Sequence, residues 1–588
     1  MIPNFRFAIV KKEKCNPEAC GDLCMKLCPI NRTGEPCIVK SDEDGKVRID
    51  EVLCTGCGIC SKRCPFDAID IINLPKPPNK EPIHRYSENG FSLFGLISPV
   101  FGKIIGVIGR NGIGKSTSLN ILSGYVKPNF GDYKSVDSDF KQRMRNYFKG
   151  TESQLFFEKL TDGKIKVSYK PQMVEQIPKM FHGTVNDLLR KSDERSELDK
   201  AVDFLNLRNI LDRDISQLSG GELQKVAIAA TYLKKADLYM FDEPSSYLDV
   251  SERLRISNFI RNLSKPDNSI IVVDHDLIVQ DYVSDLVVIL YGKERAYGVV
   301  SNPLNARVGI NTFLFGYIKN ENVQFRDHKI KYENLKNNVV KKSAPLIEWN
   351  NLKKKLGNFT VSADKGEIES EDIIGVVGKN GIGKTTFMRI LAGEFKSDSG
   401  SLTQNVKISY KPQQIPLSKS QVIEFFSSVK NKVSTLVLGP LNIKDLFNKR
   451  LDQLSGGELQ KVAIAFALSQ EADIYLLDEP SAYLDVEERL NVAKVIKSFM
   501  NNIGKSAIII DHDLIFLDYF SEKMIVFMGT PTIEGSAFGP YSLNEGMNLF
   551  LKDLGVSFRR DLDSRRPKAN KKGSKIDRMQ KEKGNYFY

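Results

Sequence analysis

Twelve residues occur twice in this chain without a single change, and this repeat limits what the chain can fold into. The segment Leu-Ser-Gly-Gly-Glu-Leu-Gln-Lys-Val-Ala-Ile-Ala occupies residues 218–229 and again residues 454–465. Identical segments of this length indicate an internal duplication. A Ser-Gly-Gly-Glu turn that leads into a helix presents backbone N–H groups, a hydroxyl and a helix N-terminus, which together bind an anion. Each half of the chain is therefore expected to bind one.

A phosphate-binding loop precedes each copy of the repeat. The apolar run 104–108 predicts a buried strand, which continues into Gly-Arg-Asn-Gly-Ile-Gly-Lys-Ser at residues 109–116. In this motif the backbone N–H groups surround phosphates, the lysine neutralises the β- and γ-phosphates, and the Ser or Thr hydroxyl binds Mg²⁺. The predicted nucleotide-binding residues are Gly109, Asn111, Gly112, Gly114, Lys115, Ser116 and Thr117, and in the second half Gly378, Asn380, Gly381, Gly383, Lys384, Thr385 and Thr386.

A short apolar strand that ends in Asp-Glu follows each repeat, at Asp242-Glu243 and at Asp478-Glu479. This order of phosphate loop, Ser-Gly-Gly-Glu turn and Asp-Glu strand resembles the nucleotide-binding domain of ATP-binding cassette (ABC) proteins. The resemblance implies that the two aspartates bind Mg²⁺. It also implies that Glu243 and Glu479 polarise the water that attacks the γ-phosphate.

The ABC resemblance implies further roles in each half. Gln172 and Gln413 would sense Mg²⁺ and the attacking water. His275 and His512 would reach the γ-phosphate, and Asp249 and Asp485 would belong to loops that cross to the other cassette. The chain has only five histidines, and two follow these matched strands, which argues against incidental core histidines.

Aromatic residues upstream of the phosphate loops are candidates for stacking on adenine. In the first half these are Tyr86 and Phe91, and ordinary core packing is the alternative. In the second half Phe359 corresponds to Phe91, whereas Leu356 stands in the place of Tyr86. Stacking in the second site is therefore expected to rest on Phe359 alone or to be weaker.

Neither cassette is expected to hold a complete site, because each Ser-Gly-Gly-Glu turn must cap the phosphate bound by the other phosphate loop. One predicted site combines Lys115, Ser116, Gln172, Asp242, Glu243 and His275 with Ser455 and Gly457. The other combines Lys384, Thr385, Gln413, Asp478, Glu479 and His512 with Ser219 and Gly221. The cassettes would then lie head-to-tail, and ATP would shift an open–closed equilibrium between them.

All nine cysteines fall between residues 15 and 64, which favours a metal site over a disulfide scaffold. Cys54, Cys57, Cys60 and Cys64 have the spacing of a bacterial ferredoxin run for a [4Fe–4S] cluster, with zinc as the alternative. A looser quartet consists of Cys15, Cys20, Cys24 and Cys28. The two-cluster pattern assigns Cys28 to the first cluster and Cys64 to the second. Cys37 is interpreted as a small buried residue.

The charge and apolar content restrict the class of protein. The net charge of +12 favours a polyanionic partner, and a basic protein that is simply soluble is the alternative. No apolar run approaches the roughly 18 residues that cross a bilayer, and the N-terminus does not resemble a signal peptide. A cytoplasmic protein is therefore expected.

These signals divide the chain into five regions. Residues 1–75 form the iron–sulfur domain, 76–300 the first cassette, 301–345 a hinge or linker, 346–540 the second cassette and 541–588 a basic tail lying on the surface or partly ordered. The Pro-rich segment 75–78 predicts a stiff linker. The predicted fold is multidomain, with a ferredoxin-like α+β domain and two α/β ABC nucleotide-binding domains arranged head-to-tail.

The first cassette carries an insertion that the second lacks. Between the phosphate-loop lysine and the loop glutamine there are 57 positions in the first cassette and 29 in the second. The extra residues centre on 135–165, where two short helices are predicted around Gly150. A docking element for rRNA, using Arg143, Arg145 and Lys149, and a tolerated surface insertion are the two interpretations.

An iron–sulfur arm ahead of tandem cassettes resembles the class E ABC ATPases, also called the RNase L inhibitor family, over essentially the whole chain. Local likenesses include Cys-Asn-Pro near the start and the segments 84–86, 89–91, 298–301, 307–310 and 558–561. The resemblance implies an ATP hydrolase that uses Mg²⁺ and two [4Fe–4S] clusters. It implies a monomer that splits ribosomes after termination, with the small subunit, rRNA and a release-factor-like protein as partners.

Three other functional classes remain as alternatives at this point. They are a pair of transporter motor domains, a DNA-repair ABC ATPase with metal modules, and an electron-transfer protein with accessory ATPase domains. Association with membranes, stimulation of ATPase activity by DNA, and reversible cluster reduction would distinguish them. A structural arm is favoured over an electron carrier, since the sequence offers no acceptor for the electron.

Overall fold

Two large mixed β-sheets, one in each duplicated half, organise the fold. The computed structural model describes residues 6–10, 15–41, 45–50, 53–66, 68–73, 81–87, 90–133, 140–151, 153–326, 329–330, 332, 345–404, 406–413, 415, 418–427 and 433–588. The predicted stiff linker 75–78 lies outside these residues, as does most of the second half of the predicted hinge 301–345.

The N-terminal unit is small and rich in turns. Its elements are β1 (Arg6–Val10), α1 (Pro17–Cys20), α2 (Leu23–Leu27), α3 (Pro29–Arg32), β2 (Ile38–Lys40), β3 (Val47–Ile49), α4 (Ile59–Arg63) and β4 (Ile69–Asn73). Strands β1 and β4 pair antiparallel, and β2 pairs with β3. The core of this unit is made largely of cysteine, isoleucine and valine side chains.

The first cassette places its loops at one edge of a parallel sheet. Its strands are β5 (His84–Arg85), β6 (Ser92–Phe94), β7 (Ile104–Ile108), β8 (Val167–Lys170), β9 (Leu238–Asp242), β10 (Ser269–Val273), β11 (Leu286–Lys293), β12 (Tyr297–Val300) and β13 (Leu304–Asn305). Its helices are α5 (Lys115–Leu122), α6 (Phe140–Phe148), α7 (Gln154–Thr161), α8 (Ile177–Met180), α9 (Val185–Ser192), α10 (Leu198–Phe204), α11 (Gly220–Leu233), α12 (Val250–Leu263) and α13 (Leu277–Val283). Strands β8, β9, β10, β7 and β11 pair in that order and run parallel.

The segment after the first cassette connects three parts of the molecule. Helix α14 (Ala306–Phe315) packs into a core that continues into the second cassette. Strands β14 (Tyr317–Ile318) and β15 (Val323–Gln324) follow, and β15 pairs with β4. The beginning of the predicted hinge is therefore folded, and it completes the sheet of the N-terminal unit.

The second cassette repeats the arrangement of the first. Its strands are β16 (Pro345–Leu356), β17 (Phe359–Ala363), β18 (Gly366–Glu369), β19 (Ile373–Val377), β20 (Ser399–Gln404), β21 (Ile408–Lys411), β22 (Ile474–Asp478), β23 (Ser506–Ile510), β24 (Lys523–Thr530) and β25 (Glu534–Ser542). Its helices are α15 (Lys384–Leu391), α16 (Gly456–Ser469), α17 (Val486–Ile503) and α18 (Leu514–Phe520). The parallel order β21, β22, β23, β19, β24 matches that of the first cassette.

The insertion in the first cassette forms two helices, α6 and α7, on either side of Gly150, as the sequence predicts. Met144, Phe148 and Phe157 are buried in the core of the first cassette, and the rings of Phe148 and Phe157 stack at 3.7 Å. The insertion is therefore integrated into the cassette, and replacing all of it would expose apolar core.

The basic C-terminal segment is folded, so the expectation of a surface-lying or partly ordered tail is wrong. Its elements are α19 (Leu543–Leu554), β26 (Phe558–Arg560), β27 (Pro567–Ala569) and α20 (Lys575–Glu582). Arg566 is completely buried, and its Nη1 lies 2.7 Å from Asp281 of the first cassette. The excess of basic residues did not predict a folded segment, because several of these cations pair with acidic residues of the cassettes instead of facing solvent.

Candidate functional site

The two phosphate loops are held in shape by their own lysines. Lys115 begins α5, and its Nζ donates to the carbonyls of Gly109 and Arg110, each at 2.8 Å. Lys384 does the same in the second loop, at 2.8 and 2.7 Å. The ammonium groups thus stand inside the loops, where a nucleotide's β- and γ-phosphates would be bound.

A tight contact positions one candidate adenine-stacking residue in each half. Gly114 has a φ of +96°, and a Cβ there would come within 2.7 Å of the Phe91 ring. Gly383 has a φ of +98°, and a Cβ there would lie 3.0 Å from the Phe359 ring. The structure therefore places both phenylalanines directly against the phosphate loops.

The second candidate for adenine stacking differs between the sites. Tyr86 is about half exposed, and its hydroxyl lies 3.2 Å from the Thr117 hydroxyl, beside the first phosphate loop. Leu356 lies opposite Phe359 across the β16–β17 hairpin. The second site therefore pairs one aromatic ring with an aliphatic side chain, as the sequence indicates.

The aspartates at the ends of β9 and β22 are buried next to the phosphate-loop hydroxyls. Asp242 is 2% exposed, and Ser116 Oγ lies 3.5 Å from its carboxylate. Burial, with the nearby charge of Glu243, raises the pKa of Asp242 to about 6, and burial raises the pKa of Asp478 to about 6 as well. Hydroxyl and carboxylate oxygens are hard ligands of the kind that Mg²⁺ prefers. The positive charge of the ion would compensate the buried negative charges of the aspartates.

Each glutamate next to these aspartates is in contact with the loop glutamine and the histidine of its own cassette. Gln172 Nε2 donates to Glu243 Oε1 at 2.8 Å, and His275 Nε2 lies 3.6 Å from the same oxygen. In the second cassette His512 Nε2 lies 3.5 Å from Glu479. Burial lowers the pKa of both histidines, so they are neutral at pH 7. Against the opposing effect of burial, His512 and Gln413 hold the pKa of Glu479 at about 2.

The Ser-Gly-Gly-Glu turns form the starts of α11 and α16. Ser219 accepts from the Glu222 N–H, while the Glu222 carboxylate accepts from the Ser219 N–H at 2.9 Å. Ser455 and Glu458 form the same reciprocal pair. This capping fixes each turn with its serine at a helix N-terminus, the geometry that binds an anion.

Reciprocal hydrogen bonds between the cassettes establish the head-to-tail arrangement. The backbone N–H of Asn111 in the first phosphate loop donates to Asp485 of the second cassette at 3.0 Å. The N–H of Asn380 in the second phosphate loop donates to Asp249 of the first cassette, also at 3.0 Å. Each phosphate loop therefore faces the aspartate-containing loop of the other half.

A cavity of about 380 Å³ lies at the first phosphate loop. It is lined by Tyr86, Phe91, Asn111, Gly112, Gly114, Lys115, Ser116, Thr117, Gln172, Asp242, Glu243 and Arg295. His275, Ser455 and Gly457 are not part of this lining in the described residues. All lining residues come from the first cassette.

Arg295 is the lining residue that the sequence analysis missed. It has a φ of +57°, and its N–H donates to the Gly112 carbonyl at 3.0 Å. Its guanidinium lies 4.0 Å from Glu458 in the opposite Ser-Gly-Gly-Glu turn. Thr532 makes the same backbone contact with Gly381 in the second half. Aligning the two halves on this turn would have found the position, but no motif marks it.

The cysteines of the N-terminal unit fall into two groups. Cys28, Cys54, Cys57 and Cys60 line one small cavity together with the fully buried Cys37. In the other group, burial and the charges of Cys20 and Cys15 raise the pKa of the Cys24 thiol to about 11. Backbone N–H groups of Ala8 and Gly56 point at Cys54 Sγ, at 3.3 and 3.4 Å.

The surroundings of Cys54 fit an iron–sulfur cluster. No three His, Cys, Asp or Glu side chains in the described part of the chain are placed to hold one metal ion. A cluster spreads four thiolates over a larger volume, and N–H donors to the sulfurs are typical of it.

Family models match each of these regions. "ABC transporter" matches residues 100–246 and 361–482, and "4Fe-4S binding domain" matches residues 47–70. "Possible Fer4-like domain in RNase L inhibitor, RLI" matches residues 5–36. The chain is 46% identical to translation initiation factor RLI1 of Chaetomium thermophilum, over 99% of this chain and 97% of that protein. The chain belongs to the RNase L inhibitor family, the class E ABC ATPases.

Solved structures of this family match the fold. One is the crystal structure of archaeal ribosome recycling factor aABCE1 in complex with the archaeal ribosomal stalk protein aP1. It is 45% identical, with a TM-score of 0.82 over 86% of this chain and 99% of that chain. A model of ribosome-bound archaeal Pelota and ABCE1 is also 45% identical, with a TM-score of 0.81 and full coverage of both chains.

Membership of this family identifies the chemistry of the two halves and of the arm. The cassettes are those of an ABC ATPase that hydrolyses ATP with Mg²⁺, and the N-terminal unit carries 4Fe–4S clusters. No described helix combines the length and the apolar character that crossing a membrane requires.

Proposed function

We propose that this protein is a cytoplasmic ribosome recycling factor that splits ribosomes into subunits after termination. The observation that carries the proposal is the likeness over the whole chain, iron–sulfur arm included, to ABCE1 in its ribosome-bound form beside Pelota. The structure solved with a ribosomal stalk protein supports the same assignment. The partners would be the small subunit with its rRNA and a release-factor-like protein, and the protein would act as a monomer.

We propose that each ATP site is completed only when the cassettes approach. Lys115, Ser116 and Asp242 would hold MgATP on one side, and Ser455 and Gly457 would cap the γ-phosphate from the other. These two residues are absent from the lining of the cavity among the described residues, and closure of the cassettes would bring them against the nucleotide. ATP would then stabilise the closed form because only that form makes both sets of contacts.

In the closed site the glutamate, glutamine and histidine would act together on the attacking water. One carboxylate oxygen of Glu243 accepts a hydrogen bond from Gln172, and the other accepts one from the Ser246 hydroxyl at 3.1 Å. Neutral His275 can donate to a γ-phosphate oxygen without adding charge. Mg²⁺ would neutralise the phosphates, and the carboxylate would orient the water for in-line attack. Glu479, Gln413 and His512 would perform these tasks in the other site.

The insertion is proposed to contact rRNA through Lys149, as the sequence favoured, but with Lys141 in place of the two arginines. Arg143 is in contact with Glu81 and with the ring of Phe130, and Arg145 pairs with Asp162 at 2.7 Å. Arg143 therefore ties the insertion to the rest of the first cassette, and Arg145 connects residues within the insertion. Lys141 and Lys149 are exposed on it and are better placed for phosphate contacts.

Stimulation of ATP hydrolysis by nucleic-acid partners tests this function. ATPase activity would be measured alone, with purified small ribosomal subunits, with large subunits and with double-stranded DNA. We expect stimulation by small subunits that decreases as salt increases, because phosphate contacts release counterions. Stimulation by DNA alone would contradict the proposal and would favour the DNA-repair class.

A further inference from the structure

The glutamate that polarises water has an unusual backbone conformation in both cassettes. Glu243 has a φ of +48° and Glu479 a φ of +47°, in the left-handed region that a residue with a side chain rarely adopts. Residues held in this region persist only where their surroundings fix them. Neighbouring groups must therefore hold the backbone of Glu243 and of Glu479 in this conformation.

A buried lysine contacts the carbonyls of each Asp-Glu pair. Lys170, the last residue of β8, is completely buried, and its Nζ donates to Asp242 O at 2.8 Å and to Glu243 O at 3.3 Å. Lys411, the last residue of β21, is 1% exposed and contacts Asp478 O at 2.7 Å and Glu479 O at 3.4 Å.

The left-handed turn explains how one ammonium group reaches two successive carbonyls. In an extended strand, neighbouring carbonyls point to opposite sides. The turn at the glutamate brings the second carbonyl to the same side as the first. A buried glutamine from the helix after each Ser-Gly-Gly-Glu turn adds a donor to the second carbonyl: Gln224 to Glu243 O at 2.5 Å, and Gln460 to Glu479 O at 2.6 Å.

We propose that Lys170 and Lys411 are positioning residues for ATP hydrolysis, which hold the carbonyls of the Asp-Glu pair and thereby set the direction in which the glutamate side chain extends. The lysines are buried, donate to main-chain carbonyls and act through the glutamate. This inference rests on the proposed role of Glu243 and Glu479. It assigns a task to the lysine of the Lys-Pro-Gln segments at 170–172 and 411–413, to which the known cassette motifs give none.

The occurrence of the same contacts in both halves strengthens the inference. The two cassettes differ at Arg295 and Thr532, at Tyr86 and Leu356, and in the insertion, yet both keep the lysine and its two carbonyls. A buried cation is costly unless it is well paired.

The test uses the full-length protein with one site silenced, so that turnover reports on a single glutamate. In a Glu479→Gln background, Lys170→Met and Lys170→Gln would be compared with Lys166→Met, a change at an exposed lysine of the same segment. The rate constant kcat, the KM for ATP, the dissociation constant of MgATP and the Mg²⁺ requirement would be measured. Lys411→Met in a Glu243→Gln background repeats the test in the other site.

We expect Lys170→Met to lower kcat by about tenfold or more, while KM and MgATP affinity stay within about twofold, since a misdirected base loses part of its general-base contribution. Lys170→Gln should recover part of the loss because it keeps a donor, and Lys166→Met should change nothing. An unchanged kcat would overturn the proposal. A parallel loss of MgATP affinity, of Mg²⁺ affinity or of folding would also overturn it, in favour of a purely structural lysine.

The role of the glutamate is tested separately by adding Glu243→Gln to the same background. If Glu243→Gln slows hydrolysis and Lys170→Met does not, only the lysine proposal fails. If Glu243→Gln has no effect, the assigned role of the glutamate fails. When Lys170→Met is combined with Glu243→Gln, the rate of hydrolysis should fall no further than with Glu243→Gln alone, because the effect of the lysine passes through the carboxylate.

Discussion

At the scale of the residue, the two ATP sites are near copies that differ at a few positions. The phosphate-loop lysines, the buried aspartates and the glutamate–histidine contacts have the same geometry in both halves, within 0.1 Å for the histidine distances of 3.6 and 3.5 Å. The sites differ beside the expected adenine position, where Tyr86 corresponds to Leu356. They also differ in the residue whose N–H contacts the phosphate loop, which is Arg295 in one site and Thr532 in the other. The sites should therefore share a chemical step and differ in how they hold nucleotide.

Removal of the carboxylate that we propose to polarise water is the first prediction at this scale. Glu243→Gln or Glu479→Gln should keep nucleotide binding, because neither residue holds the phosphates, but should slow hydrolysis at that site by about 10²-fold or more. Single-turnover hydrolysis and nucleotide affinity would be measured side by side. If both single variants hydrolyse ATP at the parent rate, the two glutamates have been assigned wrongly.

The second prediction exchanges the residues that differ. Arg295→Thr should weaken ATP binding at the first site by about twofold to fivefold, because an exposed charge contact is worth roughly 0.2–1 kcal/mol. Thr532→Arg should strengthen binding at the second site by a similar factor, since the two positions make the same backbone contact with their phosphate loops. The measurement is the affinity of each site for ATP while the other site is silenced. Equal ATP affinities in all variants would exclude a nucleotide contact by Arg295.

The sequence predicted the residues of the site better than it predicted their supports. The phosphate loops and the Asp-Glu pairs have recognisable motifs because the chemistry needs those side chains where parallel strands of one sheet end, and the Ser-Gly-Gly-Glu turns have one because they must start a helix. Arg295 lies outside any such motif, and the repeated Lys-Pro-Gln segment does not by itself indicate a task for Lys170. Arg295 reaches the site through a turn between β11 and β12, and Lys170 through its position at the end of β8, so only the fold brings them there.

At the scale of the element, three segments beyond the cassette fold distinguish this protein: the iron–sulfur arm, the insertion α6–α7 and the C-terminal segment. The periodic and turn-rich patterns predicted the helices of the insertion. The pairing of β15 with β4 and the burial of Arg566 were not predictable, because both depend on partners far away in the sequence. Composition indicated the charge of the C-terminal segment but not which acidic groups it would meet.

The arm is expected to depend on its clusters for folding. Cys57→Ser or Cys20→Ser should remove a cluster and unfold residues 1–75, because so small a unit obtains much of its folding free energy from the metal. ATPase activity should largely survive, since the sites lie in the cassettes. Iron analysis and circular dichroism after anaerobic purification are the measurements. The parent protein should contain eight irons for two [4Fe–4S] clusters, and stoichiometric zinc without iron would contradict the assignment.

The insertion is expected to add affinity for ribosomal RNA. Lys141→Glu with Lys149→Glu should lower affinity for small subunits by about tenfold at low salt and reduce its salt dependence, while basal ATPase stays normal. The matched control is Lys444→Glu with Lys494→Glu, two exposed lysines of the second cassette, which changes the net charge equally. Equal binding by both double variants would place docking elsewhere.

At the scale of the whole molecule, contacts between distant segments tie the two ATP sites to each other and to the arm. Arg566 and Lys568 of the C-terminal segment both pair with Asp281 of the first cassette, at 2.7 and 2.6 Å. Arg326, just after β15, lies 2.9 Å from Glu487 beside the aspartate loop of the second cassette. A closing movement of the cassettes must therefore be accommodated around these contacts, and β15 carries a direct connection to the arm.

Sedimentation of ribosomes would show whether ATP-driven closure of the two cassettes splits them into subunits. Ribosomes would be incubated with this protein, a release-factor-like protein and ATP, and the ratio of subunits to intact ribosomes would be measured on a density gradient. We expect conversion to subunits that requires ATP, and we expect the protein to remain on the small subunit when Glu243→Gln and Glu479→Gln are combined. Intact ribosomes at saturating protein, ATP and partner would contradict it.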